Sequence, residues 1–191
     1  MTTITAAEAT RTAAADRTGA SGATGAVYTT VDSPVGELLL VGVASADATG
    51  GTALVSLSLP EQKGAATVQD GWRRAPAAFA EIHRQLTAYF EGRLTRFTIA
   101  YADEGTDFQR RVWRALETIP YGTTCTYGDI ARQVGASRAG VRAVGTAIGR
   151  NPLLVVRPCH RVIGADGALR GYAAGLERKE LLLGLEGALA S

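Results

Sequence analysis

Four consecutive apolar residues, Leu153–Val156, run straight into Arg157-Pro158-Cys159-His160-Arg161-Val162. An uninterrupted apolar run belongs in a core, so the rest of the chain has to wrap around it. The proline that follows fixes φ and removes a backbone donor, which suits a strand end or the first turn of a helix. The buried run therefore delivers a thiol and an imidazole side by side. The whole chain has only two cysteines and two histidines, and this segment holds one of each. The pairing suggests a nucleophilic thiol with a neighbouring base. A small core cysteine beside a structural histidine is the bland alternative.

The chain is 191 residues long, enough for one or two domains with a real core. Two distant cysteines make no disulfide framework, and no His/Cys cluster has the spacing of a structural zinc site, so no metal is expected. A reduced intracellular setting follows. No apolar stretch approaches the ~20 residues needed to span a bilayer, and the N-terminus lacks the pattern of a secretory signal. Charge is uneven. Residues 1–107 carry 8 Lys/Arg against 12 Asp/Glu, and residues 108–191 carry 12 against 6. A basic, arginine-rich second half suits an anionic partner, although an unevenly charged solvated surface would look the same.

Residues 1–25 form an Ala/Thr-rich segment with too little apolar surface to offset its ordering entropy, and disorder is expected there. A small α+β domain is expected over residues 26–101. Val27–Val31 and Glu37–Val43 read as a hairpin around Ser33-Pro34-Val35-Gly36, with Ala53–Leu59 as a third strand. Pro76–Glu91 has apolar residues at helical spacing, and Arg96–Tyr101 reads as a short strand. A second domain, 102–191, is mainly helical. Its helices are predicted over Phe108–Thr118, Tyr127–Val134, Arg138–Gly149 and Leu176–Leu189. Leu182, Leu185 and Leu189 are expected to face inward, with Glu186 at the edge of that face. Tyr127–Val134, a glycine-containing turn and Arg138–Gly149 follow the helix-turn-helix pattern, which a plain helical hairpin also satisfies. On a helix, Arg138, Arg142, Gly145 and Gly149 fall on one strip, where missing side chains would permit close approach to nucleic acid or to another helix.

Cys159, His160 and a carboxylate such as Glu186 would make a nucleophile, base and orienter. Cationic neighbours, Arg157 and Arg161, favour the thiolate. Cys125 has no histidine beside it and is left out of the chemistry.

These residues match a known pattern. Pro158-Cys159-His160-Arg161-Val162, with Ile119-Pro120-Tyr121-Gly122, Tyr127-Gly128, Arg142-Ala143-Val144-Gly145, Asn151-Pro152 and Gly171-Tyr172-Ala173, resembles the O6-alkylguanine-DNA alkyltransferases. Ser33-Pro34-Val35-Gly36 and Gln85-Leu86 with Tyr89-Phe90 extend the likeness into the first half. The resemblance implies an α+β fold, with a small N-terminal antiparallel-sheet, ribonuclease H-like domain and a mainly helical, winged helix-turn-helix-like C-terminal domain.

It implies direct repair of double-stranded DNA containing O6-alkylguanine, without a cofactor, by a monomer in the cytoplasm, or in the nucleus of a eukaryote. Cys159 would accept the alkyl group once, irreversibly, from a flipped-out base. His160 would take the thiol proton through a water, Glu186 would hold the histidine, and Asn151 would be the hinge residue. Tyr127 would hydrogen-bond guanine N3. Arg142 would fill the gap left by the base, with Arg138 and Gly145 on the DNA-binding surface. Val162, Tyr172 and Ala173 would line the substrate pocket. Activity on O4-alkylthymine and cooperative assembly on DNA are left open. The chain departs from the usual pattern at Arg157, where an apolar residue is common, and at Ile148 and Ala174. Two other readings compete. One is a lesion sensor without transfer, against which the presence of Cys159 argues. The other is a cysteine hydrolase, for which only His83 and His160 could serve as base.

Overall fold

The computed structural model describes residues 25–102 and 104–189. The expected disorder of residues 1–25 lies almost wholly outside them.

Strands β1 (Val27–Val31), β2 (Leu38–Ala44) and β3 (Thr52–Ser58) form the predicted antiparallel meander, with Thr29 opposite Leu40 and Leu40 opposite Leu57. β2 and β3 are buried along most of their length because both sheet faces are covered. A main core on one side includes Leu38, Leu40, Leu54 and Leu57, and a smaller one on the other includes Leu39, Val41 and Val55. A two-residue strand β4 (Arg73–Arg74) runs parallel to β1 at the edge, so the sheet is mixed rather than purely antiparallel. Its length and charge left no strand pattern to read.

Helix α1 (Ala80–Phe90), entered through a 3-10 turn at Pro76–Phe79, packs Phe79, Ile82, Leu86 and Tyr89 against the sheet. The strand expected at Arg96–Tyr101 does not form. Only Tyr101 bridges to Leu54, through Leu54 N to Ala100 O (2.8 Å) and Ala102 N to Leu54 O (2.9 Å). The reason is competition for the backbone: Thr98 N donates to the Gln85 side chain of α1 instead of to a neighbouring strand (2.8 Å).

The second half opens with α2 (Asp107–Glu117). Its N-terminus is closed by a capping box in which Thr106 and Gln109 satisfy each other's backbone donors. A second capping box, Thr126 with Asp129, starts α3 (Tyr127–Gln133) directly after the short strand β5 (Cys125–Thr126). Helix α4 (Val141–Gly149) begins three residues later than expected, because Arg138–Gly140 is a 3-10 turn. Ser137 offers no side-chain cap, and Gly140 N bonds back only three residues, to Ser137 O (2.8 Å). Arg138 therefore lies in that turn and not on α4 with Arg142. Trp113 of α2 locks α4 in place by donating Nε1–H to Ala147 O (2.9 Å).

Helix α5 (Leu176–Leu185) is shorter than expected. Gly187 adopts φ +66°, and the bonds Ala188 N to Leu183 O and Gly187 N to Gly184 O close the helix in a Schellman motif. Leu182 and Leu183 are thus buried, Leu185 is half-buried, and Leu189, expected inside, is exposed. The same stop makes Glu186 the residue that caps the helix. It lies in the interior, not at the edge of a face.

The two halves share one core. Leu57 N donates to Pro152 O (2.9 Å), and Leu154 N donates to Leu57 O (3.0 Å). The apolar run of residues 153–156 is thus laid against β3, and Leu153–Val155 are completely buried. Among the described residues no helix is long and apolar enough to cross a membrane.

Candidate active site

The run does not continue as a strand. Val155 sits at φ +67°, the only described non-glycine residue with positive φ, a conformation that costs a β-branched residue ~1–3 kcal/mol. Such a bend persists only where the surroundings impose it. On one side Leu153 is bridged to β3. On the other, Arg157 is clamped. Its guanidinium lies over the rings of Tyr101 (4.8 Å) and Trp113 (5.1 Å), and Nε donates to Glu117 Oε1 (2.7 Å). Arg157 is 1% exposed, so the residue that breaks the usual pattern is a buried anchor, not a DNA contact.

The chain then makes a 3-10 turn, Cys159–Arg161, before β6 (Val162–Ile163) pairs in parallel with β5. Asn151 holds the start and end of this loop together. Its Nδ2 donates to Leu153 O (3.2 Å), Arg157 O (2.9 Å) and Cys159 Sγ (3.2 Å), while Oδ1 accepts from Leu153 N (3.0 Å). Asn151 therefore orients the sulfur. Cys159 is 4% exposed. Burial pushes its thiol up, opposed by the Asn151 hydrogen bond and the charge of Lys179.

His160 and Glu186 meet as expected, Nε2 to Oε1 at 2.8 Å, both side chains fully buried. Burial raises the Glu186 carboxyl, but hydrogen bonds from His160, Arg161 and Tyr89 outweigh it and hold the group at about 2. An ionised carboxylate requires the proton on Nε2, so Nδ1 carries the lone pair. Nδ1 is buried and has no hydrogen-bond partner among the described residues. Burial keeps the ring neutral by lowering its pKa, against the pull of Glu186. A neutral ring with a free lone pair is the form a base requires.

Four further groups belong to this cluster. Arg161 grips Glu186 with two donors, Nε to Oε2 (2.8 Å) and Nη2 to Oε1 (2.9 Å), and donates Nη1 to Ile119 O (2.6 Å). Tyr89, from α1 of the N-terminal half, donates its hydroxyl to Glu186 Oε1 (2.6 Å). Gly122 N approaches Oε2 (3.3 Å). Gly122 has φ +73°, and a Cβ there would lie 3.0 Å from Glu186 O, so glycine is required by conformation and by space. Lys179 is the fourth. Its Nζ donates to Val162 O (2.6 Å) and Arg170 O (2.7 Å), and burial lowers it to about 8. Tyr89 and Lys179 escaped the sequence reading. Tyr89 looked like one more apolar position of α1. Lys179 had a usable signal: it precedes Leu182/Leu183 and Glu186 at helical spacing, on the face that turned out to be buried.

Cys159 lies on a cavity of about 530 Å³ that Tyr127, Arg142, Gly145, Ile148, Gly149, Gly171, Tyr172 and Ala173 also border. The Tyr127 hydroxyl donates toward Arg170 O (3.0 Å) and Gly171 O (3.3 Å) at its wall. The Tyr172 hydroxyl is buried without a hydrogen-bond partner among the described residues. Arg138 does not border the cavity. Val162 is fully buried behind it and contributes its carbonyl to Lys179. Ala174 is buried and offers its carbonyl to Arg178, outside the cavity lining. His83 is exposed on α1 and does not border the cavity that Cys159 lines.

Residues 26–101 match the 6-O-methylguanine DNA methyltransferase ribonuclease-like domain, and residues 107–188 match the DNA binding domain of the same name. The chain belongs to the 6-O-methylguanine DNA methyltransferase family. A methylated-DNA–protein-cysteine methyltransferase of Mycolicibacterium paratuberculosis is 52% identical over 159 residues, covering 83% of this chain and 91% of the relative. One from Methanosarcina acetivorans is 48% identical over 160 residues, covering 84% and 97%. Among solved structures, Mycobacterium tuberculosis OGT in complex with DNA superposes with a TM-score of 0.74 at 48% identity, covering 85% of this chain and 93% of that one. The methyltransferase of Pyrococcus kodakaraensis, 21% identical with a TM-score of 0.58 over 85% of this chain and 99% of that one, shares the fold. This 6-O-methylguanine DNA methyltransferase family member thus has the expected α+β architecture, a sheet domain followed by a helical one.

Proposed function

We propose that this protein repairs O6-alkylguanine in duplex DNA by moving the alkyl group onto Cys159. The supporting observation is the sulfur itself: buried at a cavity bordered by α4, oriented by Asn151, and adjacent in sequence to a neutral histidine fixed by an ionised carboxylate.

A thiol cannot reach the O6-alkyl carbon inside the base stack, so the nucleotide has to be extruded into the cavity. The thiol proton passes to His160 Nδ1. The ring makes no hydrogen bond to Sγ among the described residues, so the transfer runs through a water. Glu186 stabilises the resulting imidazolium. Sγ attacks the alkyl carbon, an S–C bond forms, and the C–O6 bond breaks with its electron pair left on guanine. The Tyr127 hydroxyl, at the cavity wall, donates to guanine N3 as that charge develops. The guanine anion takes up one proton, replacing the one that His160 received from the thiol, and the products are a thioether and a repaired base. Taking the alkyl group off the thioether again would have to expel a thiolate from carbon, a poor leaving group, so each molecule acts once. The protein acts as a monomer in the cytoplasm, with no cofactor in the reaction.

Incubating the reduced protein with a duplex carrying one O6-methylguanine should raise its mass by one CH2 unit, at Cys159, with a plateau at one methyl per protein. DNA binding without a mass change would favour a lesion sensor.

Arg142 is exposed on α4 and borders the cavity, which supports a role in filling the space the base vacates. Unstacking a base costs a few kcal/mol, so Arg142→Ala is expected to slow transfer from duplex DNA by ~10–100-fold. Affinity for undamaged duplex should fall much less. Stopped-time assays beside a binding titration separate the two effects, and equal losses in both would remove the extrusion role.

A further inference from the structure

The cavity has one wall that the helical domain does not supply. Lys63 borders it, and Lys63 belongs to the turn that follows β3 in the N-terminal domain. That turn is held rigidly. Leu59 N donates to Gln62 Oε1 (2.9 Å), and Gln62 N donates to Leu59 O (3.1 Å), so the buried glutamine closes the turn on itself. Lys63 N then reaches across to the cavity wall and donates to Ala173 O (3.3 Å). Arg178 fastens the same junction by donating to Val35 O (2.8 Å) and Ala174 O (3.0 Å), with Glu61 nearby at 3.8 Å. The backbone of Lys63 is thus fixed against the cavity while its side chain is exposed.

Three cationic side chains border the cavity: Lys63, Arg142 and Arg170. Arg170 has its charge matched by Asp166 (2.5 Å). Arg142 is assigned above to the gap in the duplex. The Lys63 ammonium has no ion-pair partner among the described residues, and its neighbour Glu61 faces Arg178. An extruded nucleotide places its base in the cavity and its phosphodiester at the mouth, because a solvated anion does not follow a base into a buried pocket. A lysine suits that place as a mobile point charge on a long stem, tolerant of the backbone's exact path.

We propose, on the strength of the alkyl-transfer reading above, that Lys63 binds the DNA phosphate beside the extruded nucleotide. The N-terminal domain then takes part in substrate binding directly, and the lesion pocket is complete only when both domains are present.

The test compares wild type, Lys63→Ala and Lys63→Arg on two substrates: a duplex with one O6-methylguanine, and the nucleoside O6-methyl-2′-deoxyguanosine, which has no phosphate. Rate constants come from methyl uptake followed by mass. Lys63→Ala should slow transfer from the duplex by roughly three- to tenfold at moderate salt, and Lys63→Arg should restore most of it. The slope of log rate constant against log salt should become shallower by about 0.9, the loss of one phosphate contact. Transfer from the nucleoside should be unchanged. An unchanged duplex rate and slope would make Lys63 a solvated lysine and overturn the proposal. Equal slowing on the nucleoside would also overturn it, by making the residue part of the pocket's shape. Failure of the wild type on both substrates would instead bring down the alkyl-transfer reading itself.

Discussion

Replacing Glu186 with alanine is expected to cost about 3–5 kcal/mol of folding stability, the usual penalty for orphaning a buried charge. Five donors converge on this carboxylate: His160 Nε2, the Tyr89 hydroxyl, two nitrogens of Arg161, and Gly122 N. Its removal leaves the Arg161 guanidinium, 8% exposed, with the Ile119 carbonyl and the face of the Tyr121 ring (5.7 Å) but no counter-charge among the described residues. Glu186→Gln keeps the shape and an acceptor but not the charge, and should fall between wild type and alanine. Urea unfolding measures both, and a loss under ~1 kcal/mol for alanine would mean that Arg161 finds water easily.

The same variants should slow methyl transfer by about 10²–10⁴-fold, the range for general base catalysis, because an imidazolium at His160 would lose its counter-ion. Acid should act in the same direction on the wild type. Glu186 has its folded pKa depressed from 4.5 to about 2, so its contribution to stability is fully present above about pH 4.5 and lost as pH falls toward 2. His160 is depressed below its ordinary 6.5 by burial, so the unfolded chain binds its proton first and stability begins to fall below that value. Glu186→Gln should abolish the lower of these two windows in a pH series of unfolding midpoints.

Much of this cluster could be read from the chain, for identifiable reasons. Cys159 and His160 announced themselves by rarity and adjacency, and the meander β1–β3 by alternating β-branched residues between turn signals. Glu186 was found by its spacing from Leu182, but its burial depended on Gly187. The sequence shows a glycine there, and only the left-handed stop turns the last side chain inward. The anchoring of Arg157 is not legible in its own segment, because its partners lie elsewhere: Trp113 and Glu117 on α2 and Tyr101 in the segment before it. Local pattern carries no information on contacts of that separation. The missing strand at Arg96–Tyr101 and the late start of α4 share one cause. In both, a backbone donor found a partner other than the one regular structure would have given it.

Cys159→Ala should eliminate methyl uptake completely while leaving duplex binding near the wild-type level. The sulfur is one buried atom beside the cavity, and its loss costs on the order of 1 kcal/mol. Arg142 and Lys63, which would hold the DNA, are untouched. No other group can take over. Cys125 is half-buried on β5, and burial together with Asp129 pushes its thiol up to about 11, where almost no thiolate exists at neutral pH. The exposed His83 has no hydrogen bond to a thiol among the described residues. Methyl uptake should therefore drop from one per protein to none, with no intermediate value, and peptide mapping of the wild type should place the methyl on Cys159 alone. The stoichiometry also separates the chemistries. A hydrolase built on the same thiol would regenerate it and turn over repeatedly. An acceptor that forms a thioether is spent, because displacing the methyl again would have to expel a thiolate from carbon. Methyl on Cys125, or product exceeding one equivalent, would contradict the single-acceptor mechanism.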